Sequence, residues 1–258
     1  MPELPDLEAY SKNLEKFVSN KTVSEVIVYK PGKLNVSKKK ISEALTSAKV
    51  KVFQRDGKEM LLLFDNGKVV SIHLMLEGKF EITSDIESIN YKMFALDFEG
   101  IFLVIYDPKG WAKIDLDPEK SLTPDALSVD FSLEYFMGMI KEKKSKNIKA
   151  FLTDQGIVRG IGNAYVDEIL WAAKVSPESK AGGIPNEVTK RLYKSVKVVL
   201  EKSVNEILKI DPDVINGEVR GFMRVHRKDR KECPNGYPII IKKIVSKTTY
   251  YTEEQEVF

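Results

Sequence analysis

Pro2 and Glu3, in the opening run Met1-Pro2-Glu3-Leu4-Pro5, put a potential secondary amine next to a carboxylate. If Met1 is removed, Pro2 carries a free amine. Such α-amino groups titrate near pKa ~8, so a fraction is an uncharged nucleophile at neutral pH. Attack of that amine on a sugar C1′ gives an iminium directly, with Glu3 beside it as general acid or base once burial raises its pKa. The same residues also read as an extended lead-in and cap for a first helix, Pro5 and Asp6 standing at its start. As the sequence stands, Met1 closes the Pro2 nitrogen in a peptide bond, so the chemistry depends on losing that residue.

A second pattern, Gly160-Ile161-Gly162-Asn163, lies between two helical candidates. Two glycines allow backbone to approach a phosphate, and a helix N-terminus following them offers N–H groups and a favourable dipole. A plain helix–helix turn has the same form. Basic residues gather in two places. Between positions 218 and 247 stand nine Lys/Arg against Glu218, Asp229 and Glu232, and Lys141, Lys143, Lys144, Lys146 and Lys149 are interrupted only by Glu142. Such clusters are either solvated faces or phosphate-binding surfaces.

Positioning these groups requires at least two kinds of element. Leu7, Tyr10, Leu14 and Phe17/Val18 recur at helical spacing over residues 6–19, giving a first amphipathic helix that pins the terminus. The period then changes, and residues 23–29, 50–53, 60–64, 69–75, 93–98 and 101–106 read as strands, with turns at Asp65-Asn66-Gly67 and Glu99-Gly100. Many short strands with little helix between them predict a β-sandwich or barrel. The Pro- and acid-containing stretch 117–130 is the expected domain boundary. Helices are expected over 131–143, 149–155, 163–174 and 186–208, and a closing hairpin over 238–245 and 247–252.

A chain of 258 residues, 43% hydrophobic, is long enough for one large or two ordinary domains. No apolar run approaches the ~20 residues that cross a bilayer, and no secretory layout opens the chain, so a cytoplasmic, nucleoid-associated protein without membrane partners is expected. The net charge of +3 and pI near 8.6 say little about nucleic acid. Cys233 is the lone cysteine, which excludes an intramolecular disulfide and a cysteine-rich zinc site; His73 and His226 do not make up the deficit.

The block from Asp154 to Leu170 resembles the helix-two-turn-helix of the formamidopyrimidine-DNA glycosylase and endonuclease VIII (Fpg/Nei) family, whose start is similar to Met1-Pro2-Glu3-Leu4-Pro5. Gly57-Lys58, His73-Leu74, Asp107-Pro108 and the terminal hairpin match in the same order, so the resemblance covers nearly the whole chain. It implies an α+β protein: an N-terminal catalytic β-sandwich domain (1–120), a helix-two-turn-helix DNA-binding domain (121–215) and a β-hairpin finger (216–258). It also implies a bifunctional glycosylase and AP lyase acting on damaged double-stranded DNA as a monomer. Pro2 matches the nucleophile at C1′, Glu3 the acid assisting sugar-ring opening, and Lys58 the hairpin lysine that contacts phosphate and supports catalysis. His73, Lys149 and Asn163 match phosphate-gripping positions, Lys247 a minor-groove arginine, and Leu76, Lys109 and Trp111 the side chains that fill the hole left by a flipped nucleotide.

Departures from the family pattern sharpen the expectation. Met, Arg and Phe are commoner at the filling positions, and Lys109 lacks the planar fork of arginine. The family's last hairpin commonly carries two Cys-x-x-Cys pairs, whereas this chain has Cys233-Pro234 followed by Gly236, and Thr252-Glu253-Glu254-Gln255 where the second pair belongs. A zincless finger held by packing is therefore expected, with no metal or organic cofactor. The segment 209–220 is shorter than the one that caps a flipped 8-oxoguanine in formamidopyrimidine glycosylases, which favours formamidopyrimidines, oxidised pyrimidines or hydantoins. Two rival readings remain: a non-catalytic paralogue that recognises damaged or abasic DNA, and an RNA-binding protein with a similar helix-turn-helix.

Overall fold

The first helix supplies its own cap. In a computed structural model, which describes residues 1–258, α1 covers Leu4–Val18 with proline in its first turn. The Glu3 backbone N–H donates to Asp6 Oδ2 at 2.9 Å, while the Glu3 carboxylate accepts from the Asp6 backbone N–H, a reciprocal capping box. Leu7, Tyr10, Leu14 and Val18 then fall on one buried face.

Eight strands form two antiparallel four-stranded sheets. One has the order β1 (Glu25–Val28), β6 (Lys92–Phe98), β7 (Ile101–Tyr106), β5 (Lys79–Thr83); the other has β2 (Val50–Asp56), β3 (Glu59–Phe64), β4 (Val69–His73), β8 (Lys113–Leu116). Phe53 of β2 and Phe80 of β5 meet edge to face, ring centroids 6.0 Å apart, in the apolar layer shared by the sheets. The sandwich expected from the strand pattern is thus present. α1 is tied to β2 twice: the Glu15 carboxylate accepts from the Phe53 N–H, and Arg55 Nε donates to Glu8 Oε2 at 2.9 Å.

Three elements of this region were not expected from the sequence. α2 (Lys38–Leu45) is only 8 residues and buries just Ile41 and Leu45, too few to register as a period. β5 and β8 are short and mixed in polarity, and gain their hydrogen bonds from β7 and β4.

The contacts group the chain into two units: Met1–Lys120 with Ile207–Glu218, and Ser121–Glu206 with Val219–Phe258. The segment after the long helix bonds to α1 of the first unit, and the terminal hairpin bonds to a helix of the second.

That second unit contains α3 (Leu133–Glu142), α4 (Ile148–Leu152), α5 (Asn163–Ala172) and most of α6 (Asn186–Ile210). Ser132 caps α3 and Asn147 caps α4, each accepting backbone N–H bonds through its side-chain oxygen. Phe131, Phe136, Phe151 and Tyr193 form an aromatic core with centroids 5.5 to 6.0 Å apart. The chain closes with the hairpin β9 (Ile240–Ile244) and β10 (Lys247–Tyr251). Its turn residues Val245 and Ser246 both have positive φ, 49° and 64°, as a type I′ turn demands.

Candidate catalytic and DNA-contact sites

Pro2 lines a cleft of about 100 Å³ in the first unit, together with Tyr10, Leu76, Gly78, Asn216 and Glu218. Glu3 is buried beside it and oriented by the capping box, so Asp6 does more than start a helix: it fixes the carboxylate next to the candidate nucleophile. Another wall of the cleft is residues 216–218, part of the segment 209–220 that was expected only to be short. Asn13 Nδ2 donates to the Val214 carbonyl at 2.9 Å, Tyr10 Oη donates to the Gly217 carbonyl, and Asn216 Nδ2 donates to the Phe80 carbonyl at 3.1 Å. The Met1 ammonium pairs with Glu218 at 2.8 Å. Nothing in the local sequence of 216–218 marked it as a cleft wall, because its partners lie 136 to 217 positions away.

Lys58 is half-buried in the two-residue turn joining β2 and β3, where Gly57 takes φ 64°, the left-handed value that a II′ turn places on glycine. Arg55 stiffens this turn, donating from Nη1 to the Gly57 carbonyl at 3.2 Å while Nε holds Glu8 of α1. His73 ends β4, and its Nδ1 accepts the Met75 N–H at 3.0 Å. Burial lowers the His73 pKa from 6.5, aided by Lys58 and Lys113 and opposed by Glu59. The following turn closes with the Gly78 N–H on the Leu74 carbonyl at 2.9 Å and leaves Leu76 50% exposed.

The second projecting loop is organised by Asp107. Its buried carboxylate accepts from the N–H groups of Lys109, Trp111 and Ala112 at 2.7 to 2.8 Å. Lys109 is exposed, and Trp111 is 43% exposed and is not core. An exposed apolar wedge and an exposed aromatic on braced loops suit insertion into a base stack.

In the second unit the structure departs from expectation at Lys149. Its side chain is 1% exposed and its ammonium is used internally, pairing with Asp167 Oδ1 at 2.7 Å and donating to Thr249 Oγ1 at 2.7 Å and the Thr248 carbonyl at 3.3 Å. A lysine so placed reaches a phosphate only by breaking a buried ion pair, which is costly. Asn163 is also partly committed: its Nδ2 donates to the Thr248 carbonyl at 3.0 Å, while its Oδ1 is buried without a partner. Both side chains therefore fix β10 on α5. Lys247, at the start of β10, is exposed beside a groove of about 250 Å³ that also touches Lys146, Thr153 and Asp154. Lys146 is paired with Asp154 at 2.6 Å.

Asp167, Glu168 and Glu254 were given no role from the sequence, although an adjacent acidic pair inside the otherwise apolar run of α5 is a signal. Asp167 also takes His226 Nδ1 at 2.7 Å and the Tyr250 N–H at 3.0 Å. Glu168 accepts the N–H groups of Arg224, Val225 and His226 at 2.8 Å each; burial raises its pKa against those three bonds. The residues where the family commonly holds zinc do not fit that ion: they supply one thiol, Cys233, whose S–H is within 3.4 Å of Glu254 Oε2.

Known proteins agree with this architecture. Residues 1–114 match the formamidopyrimidine-DNA glycosylase N-terminal domain, and residues 122–211 the H2TH domain of the same glycosylase. The chain is 31% identical to the formamidopyrimidine-DNA glycosylase of Lactobacillus johnsonii, over 94% of this chain and 93% of that one. It is 28% identical to that of Mycoplasma mobile, over 98% of each. Among solved structures, Lactococcus lactis Fpg bound to oxidised-pyrimidine DNA superposes with a TM-score of 0.87 at 24% identity, covering 97% of this chain and 98% of that one. The same enzyme bound to Fapy-dG DNA gives 0.86 at 23% identity, covering 97% and 98%, and at these identities the likeness speaks for the fold. The chain belongs to the Fpg/Nei family. It is accordingly an enzyme of the DNA glycosylase/AP lyase class, acting in base excision repair.

Proposed function

We propose that this enzyme excises oxidised bases from duplex DNA through a Schiff base on Pro2, acting as a monomer once Met1 has been removed. The observation that carries this is the cleft in which Pro2 stands against a buried Glu3 held by its own helix cap. The Pro2 amine attacks C1′, the bond from C1′ to the base breaks, and the base leaves with a proton. Glu3 protonates the ring oxygen as the sugar opens to the iminium. Loss of a C2′ proton expels the 3′ phosphate, a second elimination expels the 5′ phosphate, and hydrolysis of the iminium returns the amine.

Lys58 supplies a cation on a stiffened turn for a phosphate of the flipped nucleotide, and His73 and Lys247 contact phosphates elsewhere on the strand. Asn163, at the start of α5, contacts a further phosphate. Lys149 acts indirectly, by anchoring β10. Leu76, Lys109 and Trp111 fill the vacated stack. For the base we favour formamidopyrimidines, oxidised pyrimidines or hydantoins over 8-oxoguanine, because residues 214–218 are bonded down along α1 and leave a small, open cleft in place of a long covering loop.

Borohydride trapping on abasic duplex tests the chemistry. The processed enzyme should give a covalent adduct that disappears in Pro2→Gly and when a tag blocks the terminus. No adduct from untagged, processed protein would leave the non-catalytic reading. A cleavage panel over defined lesions tests the substrate order; 8-oxoguanine as the fastest substrate would reverse it.

A further inference from the structure

The finger's base is closed by an anion. Glu254 Oε1 takes Lys174 Nζ at 2.5 Å and Asn235 Nδ2 at 2.7 Å; Oε2 takes Trp171 Nε1 at 3.2 Å and Cys233 Sγ and Thr252 Oγ1 at 3.4 Å each. These five donors come from three stretches of chain: the end of α5, the turn at 233–236 and the turn after β10. The two cysteine pairs common in the family would fall at positions 233, 236, 252 and 255, and here those positions hold Cys, Gly, Thr and Gln, of which Cys233 and Thr252 donate to the Glu254 carboxylate.

We propose that the Glu254 carboxylate takes the place of the metal, as a positioning residue that holds the base of the β9–β10 hairpin on α5 and so sets where Lys247 is presented to DNA. A zinc ion joins two knuckles because it is one multivalent centre that several side chains must face. A carboxylate is a centre of the same kind with the sign reversed: two oxygens with about four lone-pair directions, which chains of donors can converge on. The Lys174 ammonium balances its charge, and the Glu254 side chain is only 11% exposed. Beside it, Val225, Cys233 and Tyr250 form a small apolar core with Trp171 and Ile239 packed against them, so the polar node and the apolar one share Trp171 and Cys233. Burial pushes the Glu254 pKa up, but the bonds from Lys174, Asn235 and Cys233 outweigh it and hold it at about 2. The node is therefore charged at every physiological pH, and the hairpin needs neither metal nor thiolate.

The test compares the whole, processed enzyme with its E254Q and N235A variants. The chain has two tryptophans, Trp111 and Trp171, so ¹⁵N-labelled protein gives two indole N–H signals. In E254Q the Trp171 signal should move and the Trp111 signal stay. KM for abasic duplex should rise roughly fivefold while the single-turnover rate at saturating DNA stays within about twofold, the pattern of lost binding geometry with intact chemistry. The smaller N235A change, which removes one donor, should move the same signal less. A folded pKa held below 4.5 gives stability that is present above 4.5 and lost as pH falls toward 2, so the wild-type advantage over E254Q should be flat above pH 4.5 and shrink below it. EDTA should leave the wild-type melting temperature unchanged. Stoichiometric zinc in the pure protein, melting that drops with EDTA, or an unmoved Trp171 signal in both variants would overturn the proposal. The indole and melting measurements need no catalysis, so they stand or fall separately from the Pro2 chemistry.

Discussion

Asp167 offers one carboxylate to three claimants: the Lys149 ammonium, the His226 ring and the Tyr250 N–H. Removing one partner of such a buried pair leaves the other charge without compensation. Asp167→Asn should therefore cost about 3 kcal/mol of stability, and adding Lys149→Met should recover much of that loss, as urea unfolding of the single and double variants would reveal. A loss in the double variant equal to the sum of the Asp167→Asn and Lys149→Met losses would mean that the pair contributes no coupling. His73 carries a pH dependence of its own. Its pKa is lowered in the fold, chiefly by burial, so the unfolded chain binds more protons just below pH 6.5. Its stabilising contribution is complete above that value and is lost as pH falls through the depressed folded pKa. Protonation at Nδ1 would also displace the Met75 N–H. Stability measured from pH 8 to 5 should fall in the wild type by an increment that His73→Gln lacks.

At the scale of elements, the two projecting segments are braced in different ways. The 107–112 loop hangs from one buried carboxylate, whereas the 74–78 turn depends on a close approach: a Cβ on Gly78 would lie 2.4 Å from the Leu74 carbonyl oxygen. No real contact is that short, so Gly78→Ala must shift the backbone, at a cost of about 1–3 kcal/mol. Since the turn carries Leu76 and borders the Pro2 cleft, the variant should bind abasic duplex more weakly, with KM raised more than kcat is lowered. Unchanged KM in a folded Gly78→Ala protein would detach Leu76 from DNA engagement.

For the molecule as a whole, the two units carry different parts of the proposed task, the nucleophile and its acid in one and the exposed Lys247 in the other. The net charge of only +3 means that attraction to DNA rests on a few placed cations and not on a general field. Duplex affinity should fall linearly on a log–log plot against salt, and Lys247→Ala should reduce the slope by about 1, the count for one lost phosphate contact. Light scattering should give a 29.3 kDa species that binds one abasic duplex. No helix is long and apolar enough to cross a membrane.

Sequence by itself determined whatever depends on local pattern or on residue type at fixed spacing. The amphipathic period placed α1 and α6, alternation and turn residues placed most strands, and the Pro2-Glu3 start with the Gly57-Lys58, Asp107-Pro108 and Gly160 to Asn163 motifs carried the family. The single cysteine already removed the ligands a zinc finger needs. Short α2, β5 and β8 were not legible, because they hold few apolar residues and are stabilised by neighbours distant in sequence. Tertiary structure alone decided how charge is spent. Lys149 looks like a DNA-facing cation in a basic cluster, yet folding places it against Asp167, and Glu254 looks like one more surface acid until Trp171, Lys174, Asn235 and Cys233 converge on it. A charge's role depends on its burial and on its partners, and partners some 20 to 100 positions apart become neighbours only when the chain has folded.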